Sequence, residues 1–267
     1  MNSHKAETIQ RRLPVSGFII ALNEADRIGR TIAAVRDWVD EVIVIDSGST
    51  DGTVKIAEAA GARVIHNDWP GFGQQKRFGE AQCRNEWLLN LDADEVVSPQ
   101  LAGSIAKVFD QNPPRFAVYG MHVNIVYPGK DHPRLFANDH YCLRLYDRRR
   151  VRFRDSTLHD SVDPKTERVG HLAGSLDHHS VRSIADLIRK CDERATYNAV
   201  HSQPKSALTL NVRLITELPW NFLKYYVARC HFLGGLMGLK FAAITAYYRW
   251  VRIVRMRQMV KSRNCVN

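Results

Sequence analysis

Three apolar runs of strand length each deliver polar, largely acidic residues at their carboxyl ends, and this repeated unit leaves few folds open. Val15 to Ala21 ends in Leu22-Asn23-Glu24-Ala25-Asp26, and Val42-Ile43-Val44-Ile45 ends in Asp46-Ser47-Gly48-Ser49-Thr50-Asp51-Gly52-Thr53. Leu88-Leu89-Asn90-Leu91 ends in Asp92-Ala93-Asp94-Glu95. A weaker run, Ala62 to His66, precedes the aromatic loop Trp69-Pro70-Gly71-Phe72-Gly73. Helical spacing separates them: Ile28, Ile32, Val35 with Trp38, then Val54, Ile56, Ala57 and Ala60. Strands alternating with helices of about 10–15 residues imply βαβ units and a mostly parallel sheet. Such sheets bind ligands at the carboxyl edge of their strands, where the polar loops gather.

The loops say which ligands are unsuited. The turn after the first strand has no G-x-G-x-x-G and puts Glu24 where a pyrophosphate needs bare backbone N–H groups. A G-x-x-x-x-G-K-[ST] loop is also missing from the sequence. A phosphate held through a cation survives, because Asp92-Ala93-Asp94 offers a hard divalent ion oxygen ligands. A surface turn carrying acidic residues is the bland alternative for an isolated Asp-x-Asp.

The order Asn23-Glu24, Asp46 to Thr53, then Asp92-Ala93-Asp94-Glu95 resembles the family 2 inverting glycosyltransferases of the GT-A fold. Gly71-Phe72-Gly73-Gln74-Gln75-Lys76-Arg77, Leu158-His159-Asp160-Ser161 and Asp177-His178-His179-Ser180 are similar to the lipopolysaccharide core β-glucosyltransferase branch. The resemblance implies an α/β architecture, with a mostly parallel central sheet flanked by helices. It spans roughly residues 13–250 of the chain. The division expected is a GT-A domain over 13–205 and a helical, amphipathic, membrane-associating extension over 206–267.

Roles follow from that resemblance. Asn23, Glu24, Asp46 and Ser47 would line a uridine pocket, where a carboxylate accepts from a base N–H or ribose hydroxyls. Asp51 would sit in the same loop, or would cap the helix beginning at Thr53. Asp92 would face the ribose or the metal, and Asp94 would bind Mg2+ or Mn2+ directly. His178 would complete the metal shell, although a histidine pair at a helix start also reads as a capping or solvated group. Lys76 and Arg77 would add positive charge beside the diphosphate of a UDP-sugar, or would lie on a solvated helix face. Asp160 is the expected catalytic base for the acceptor hydroxyl. Relatives carry Glu there, so the carboxylate sits about one methylene shorter.

Composition narrows the setting. Five cysteines without a C-x-x-C pair argue for a reducing compartment and against structural zinc. Residues 1–13 lack the apolar core of a secretory signal. The net charge of +10 concentrates in Arg144 to Arg154 and Arg249 to Arg263. The first cluster, with Val151 and Phe153 interleaved, suggests an exposed strand or hairpin that attracts an anionic acceptor, or a solvated basic face. No nucleic-acid module accompanies this charge, so nucleic acid is not an expected partner. From Leu218 to Trp250 the chain is rich in Phe, Tyr, Leu and Trp, interrupted by Lys224, Arg229 and Lys240. That composition fits an element lying in the headgroups of an anionic leaflet, or a buried core helix. The resulting expectation is a metal-dependent hexosyltransferase, peripheral to the cytoplasmic face of the inner membrane. It would move glucose from UDP-glucose to a lipopolysaccharide core or other lipid-linked saccharide. Alternatives are a different donor or acceptor, or a non-catalytic nucleotide-sugar binder.

Overall fold

The computed structural model describes residues 11–111, 113–137, 140–156, 161–202 and 206–264. In chain order the first elements are β1 (Leu13–Ala21), α1 (Ile28–Ala33), β2 (Val39–Asp46), α2 (Thr53–Ala59), β3 (Arg63–His66) and α3 (Phe72–Gln82). There follow β4 (Trp87–Asp92), β5 (Glu95–Val97), α4 (Pro99–Val108), β6 (Val118–Ile125), β7 (His140–Asp147) and β8 (Arg152–Phe153). The last are β9 (Val162–Asp163), β10 (Val169–His178), α5 (Ile184–His201), α6 (Ala207–Leu223) and α7 (Gly235–Asn264). Packing divides the chain into two compact units. One takes in the described residues of 1–125 and 139–180, the other those of 126–138 and 181–267.

The first unit is built on a sheet with strand order β3-β2-β1-β4-β7-β6-β10-β5. β1 pairs in parallel with β2 and β4, as the βαβ pattern requires, while β7 runs antiparallel to both β4 and β6. Alternate residues of β1 fill opposite faces. Ile19 packs with Ile28, Ile32, Leu101 and Ile105, whereas Phe18 packs with Ile43, Ile45, Leu88, Tyr146 and Phe153. Burial on both faces is why these strands read as continuous apolar runs. Gly79 lets α3 lie close to the second face, since a Cβ there would come within 2.9 Å of Phe18 and 3.2 Å of Ile45. This approach brings α3 side chains to the sheet's polar edge.

Two features aim residues at that edge. β4 and β5 are joined by a two-residue turn, yet β5 pairs with β10 at the far side of the strand order. The sheet therefore curls, and the turn holding Ala93 and Asp94 lies beside the end of β10, where Glu95 is opposite His178. In β7 the register shifts, with Tyr119 opposite Leu145 and Gly120 opposite Leu143, which leaves Arg144 as the extra residue of a bulge. Bulges re-aim a side chain without breaking the sheet.

The second unit is helical. Ala199 of α5, Leu210 of α6, and Ile253 and Met256 of α7 form its apolar core. Glu217 is held by Arg213 one turn earlier and by Arg252 of α7, and Trp250 donates its indole N–H to the Leu214 carbonyl at 2.8 Å. Among the described residues no single helix is long and apolar enough to cross a membrane. The segments Ala207–Ala228 and His231–Val260, bent by 70°, pass that test only as a pair, by length and composition.

Candidate active site

Asp92, Lys76, Arg144 and Glu95 form a compact charge network at the carboxyl end of β4. Lys76, on α3 and fully buried, donates to Asp92 Oδ1 at 2.9 Å, with its ammonium 5.1 Å from the centre of the Phe153 ring. Arg144 donates to Asp92 Oδ2 at 2.7 Å, to Glu95 Oε1 at 2.8 Å and to Asn90 Oδ1 at 2.6 Å. Glu95 Oε2 in turn accepts from the Asp92 backbone N–H. Two carboxylates are thus matched by two cations, which is what permits their burial. Burial alone would raise the pKa of Asp92, but Arg144 and Lys76 outweigh it and hold the carboxyl well below the usual range. Glu95, wholly buried, is raised, because Arg144 offsets only part of its desolvation.

Lys76 is therefore no part of a solvated helix face. The arginine cluster is split: Arg144 is buried and Arg148 half-buried on Glu86 and the carbonyls of Glu80 and Cys83, whereas Arg149, Arg150 and Arg154 are exposed and Arg152 lies in β8, paired antiparallel with β9. Arg77 donates to the Phe153 carbonyl at 3.1 Å.

Asp94 lies two residues beyond, in the turn. Its Oδ1 is 3.2 Å from His178 Nε2 and its Oδ2 is 3.2 Å from Arg27. Arg27 is buried, binds Glu24 and donates to the His179 carbonyl, while His179 N–H donates to the Asp94 carbonyl at 2.8 Å. Burial opposes the charge on Asp94 and His178 alike. Their mutual hydrogen bond wins, lowering the carboxyl and raising the imidazole. His178 Nδ1 is buried with no hydrogen-bond partner among the described residues.

The remaining residues meet at the loops after β1 and β2. Asp46 Oδ2 accepts from the N–H groups of Gly48 and Ser49, both at 2.9 Å, and its Oδ1 is buried with no partner among the described residues. Ser47 Oγ accepts from Gln75, a fully buried α3 side chain that also bonds Asn67. Asn23, at φ 55°, accepts from Thr50 N–H and donates its own N–H to Ser49 Oγ. Glu24 N–H donates to Thr53 Oγ1. Asp51 is not the capping residue of α2, a position held by Gly52. It binds the Thr53 hydroxyl and N–H and the Ala25 N–H, so it ties the two loops together. The Thr53 hydroxyl is the main reason that the carboxyl is lowered. Asp160 lies outside the described residues.

The chemistry of this set suits a divalent cation at Asp94 and His178. No three His, Cys, Asp or Glu side chains converge as a ready-made cage among the described residues. Such a cage is not required of an ion that takes one or two protein ligands and completes its shell with substrate phosphates and water. Asp92 is held the more tightly of the two aspartates, its oxygens 2.9 and 2.7 Å from Lys76 and Arg144, against 3.2 Å for both contacts of Asp94.

Several of these residues escape sequence reasoning. Glu80 is a fully buried acid on α3 that accepts from Tyr146 hydroxyl, Phe153 N–H and Arg152. It stands four residues after Lys76 on one helix face, a spacing that reads as a solvated pair. Arg144 stands within Leu143-Arg144-Leu145, a charge inside an otherwise apolar strand, and that is the signal it carries.

Comparison with known proteins gives a consistent outcome. The model of the family described as "Glycosyl transferase family 2" matches residues 16–205. An uncharacterized glycosyltransferase of Rickettsia prowazekii (strain Madrid E) is 38% identical over 262 residues, covering 94% of this chain and 90% of its own. The lipopolysaccharide core biosynthesis glycosyltransferase LpsC of Rhizobium meliloti (strain 1021) is 27% identical, covering 92% and 93%. Among solved structures, glucosyl-3-phosphoglycerate synthase from Mycobacterium tuberculosis, in complex with Mn2+, UDP and glucosyl-3-phosphoglycerate, is 26% identical. That likeness covers 43% of this chain and 44% of the other, with a TM-score of 0.34.

Proposed function

The chain belongs to glycosyl transferase family 2 and is a glycosyltransferase of the GT-A fold, and on that premise we propose that it transfers a hexose with inversion from a UDP-sugar to a lipid-linked saccharide. The donor is UDP-glucose and the acceptor a lipopolysaccharide core sugar; the acceptor is supported by the relation to LpsC, a lipopolysaccharide core biosynthesis glycosyltransferase, along nearly the whole of both chains.

The observation that carries this reading is the Asp94–His178 pair, 3.2 Å apart at the strand-end edge. These two side chains would hold Mg2+ or Mn2+. Bound there, the cation supplies Lewis acidity to the departing diphosphate. The buried Oδ1 of Asp46, without a partner among the described residues, supports a nucleoside pocket, since it can accept from the N–H of the base. Asn23, Glu24, Ser47 and Asp51 fix the two loops around that pocket. Lys76 and Arg144 keep Asp92 ionised and oriented towards the donor. Asp160 takes the proton of the acceptor hydroxyl as its oxygen bonds the anomeric carbon and the bond to the diphosphate oxygen breaks.

A lipid-linked acceptor calls for residence at a membrane surface, at the cytoplasmic face of the inner membrane. Leu208, Ile215 and Trp220 of α6 are 75%, 79% and 68% exposed, with Val212 and Leu223 exposed beside them. Singly exposed apolar residues are ordinary, but a helix face of five is not, and it suits insertion among headgroups.

Calorimetric titration with UDP-glucose, UDP-galactose and GDP-mannose, each with Mn2+ and with EDTA, tests the donor. Metal-dependent binding of UDP-glucose is expected, and no metal-dependent binding of any UDP-sugar would overturn the reading. Asp160→Asn should retain donor binding and lose turnover. Retained turnover would move the base elsewhere.

A further inference from the structure

Beside the charge network, three rings lie on an open part of the sheet. The register puts Val118 opposite Tyr146, Gly120 opposite Leu143 and His122 opposite Tyr141, and it puts Gly120 also opposite His171. Cross-strand partners share a face, as do residues two apart on one strand. Val118 and Tyr146 pack with Leu88, and Asn90 and Asp92 follow Leu88 at intervals of two. Tyr141, His122 and His171 therefore stand on the same sheet face as Asp92. β7 runs antiparallel to β4, so its beginning lies beside the carboxyl end of β4. Tyr141 precedes Arg144 by three residues, roughly 10 Å along a strand.

The tyrosine ring is held in one pose. Its hydroxyl is 2.6 Å from His171 Nδ1, and His122 meets it edge to face with ring centres 5.3 Å apart. The ring leans over Gly120, where a Cβ would come within 2.4 Å of its atoms. Glycine inside a strand weakens pairing and marks a close approach, here by the ring itself. Cross-strand pairing alone needs neither this glycine nor the tether to His171. Yet Tyr141 remains 40% exposed, and both histidines are exposed.

We propose that Tyr141, laid on Gly120 and tethered to His171, is a stacking platform for the saccharide acceptor, with His122 and His171 positioned to bond its hydroxyls. A fixed aromatic face attracts the C–H groups of a sugar ring through its negative quadrupole, and little order is lost because the ring is already immobile. This inference rests on the glycosyltransferase reading for the identity of its ligand, but not on the identity of the donor.

The test is saturation-transfer NMR on the full chain, with UDP and Mn2+ present in excess so that the donor pocket is filled. The probes are methyl β-D-glucopyranoside, methyl α-D-mannopyranoside and maltotriose. Saturation of aromatic protons should reach the ring C–H protons of at least one probe. It should fall to background in Tyr141→Ala, persist in Tyr141→Phe, and weaken in His171→Leu, which keeps the ring but removes its tether. Thermal melts check that each variant is folded. Undiminished transfer in both Tyr141→Ala and His171→Leu, or no transfer to any probe from the unaltered protein, would overturn the platform. Calorimetry with UDP and Mn2+ on the same samples separates the two readings. Its failure strikes the donor assignment alone, whereas normal UDP binding without saccharide contact strikes the platform alone.

Discussion

Removing Arg144 should expose how the network at Asp92 is balanced. In Arg144→Met, Asp92 keeps Lys76 at 2.9 Å, but Glu95, wholly buried, is left with no cation in contact among the described residues. Breaking a buried pair from one side costs about 3–5 kcal/mol. At about 2–4 °C per kcal/mol for a protein of this size, the melting temperature should fall by on the order of 10 °C. Glu95 already has a raised pKa because of its burial, and the loss of Arg144 raises it further. A carboxyl whose folded pKa is raised adds stability below its unfolded pKa and loses it as pH rises through the folded value. The cost of Arg144→Met should therefore be smaller near pH 5 than at pH 7.5. Adding Glu95→Gln removes the stranded charge, so the double variant should be about 2 kcal/mol more stable than the sum of the single effects, with the pH dependence gone. Urea denaturation followed by circular dichroism at both pH values measures this. Additive single effects, or a cost that does not change with pH, would refute the argument.

Three further outcomes are expected. Cys83 is buried, and burial pushes its thiol up to about 12; iodoacetamide at pH 8 should label it only on unfolding, and labelling of the native protein, read by peptide mass mapping, would contradict this. Asp186, which accepts from Arg182 N–H and pairs with Arg189 at the start of α5, is held at about 2 against burial. Asp186→Asn should cost about 1 kcal/mol at pH 7, after solvent screening of a surface pair, and less as pH falls below 3.8 towards 2, whereas an equal cost at both ends of that range would contradict it. Finally, Leu208→Glu with Ile215→Glu should abolish co-sedimentation with phosphatidylglycerol vesicles while leaving UDP binding intact, and undiminished sedimentation would remove α6 from the membrane contact.

The strand ends are where sequence and structure agree most closely, for a physical reason. A parallel strand buried on both faces must be continuously apolar, so β1, β2 and β4 announce themselves, and the polar residues that follow must lie at one edge. The acidic run from Asp92 to Glu95 is legible as the polar end of β4, and the nearness of His178 to Asp94 is what the family resemblance implies. The partners of Asp92 were harder to read. Lys76 reaches it because Gly79 lets α3 lie close to Phe18, and Arg144 does so because β7 sets it, two residues before Tyr146, on the sheet face that Asp92 shares. Both depend on packing between elements far apart in sequence, which periodicity cannot register. Glu80 was missed for the same reason, since nothing local tells a buried acid with three donors from a solvated one. In the loop after β2, Asp51 looked equally like a cap or a pocket residue, and its contacts make it a tie between two loops.

The central claim is that Asp94 and His178 together hold the divalent cation under the donor diphosphate. Electron paramagnetic resonance of free Mn2+ measures this directly in the unaltered protein, Asp94→Ala and His178→Ala, each with and without UDP. The account predicts that UDP makes the unaltered protein remove Mn2+ from solution, and that each variant weakens this uptake by at least about tenfold, the equivalent of about 1.4 kcal/mol. Equal Mn2+ uptake by all three proteins would contradict it and put the metal elsewhere.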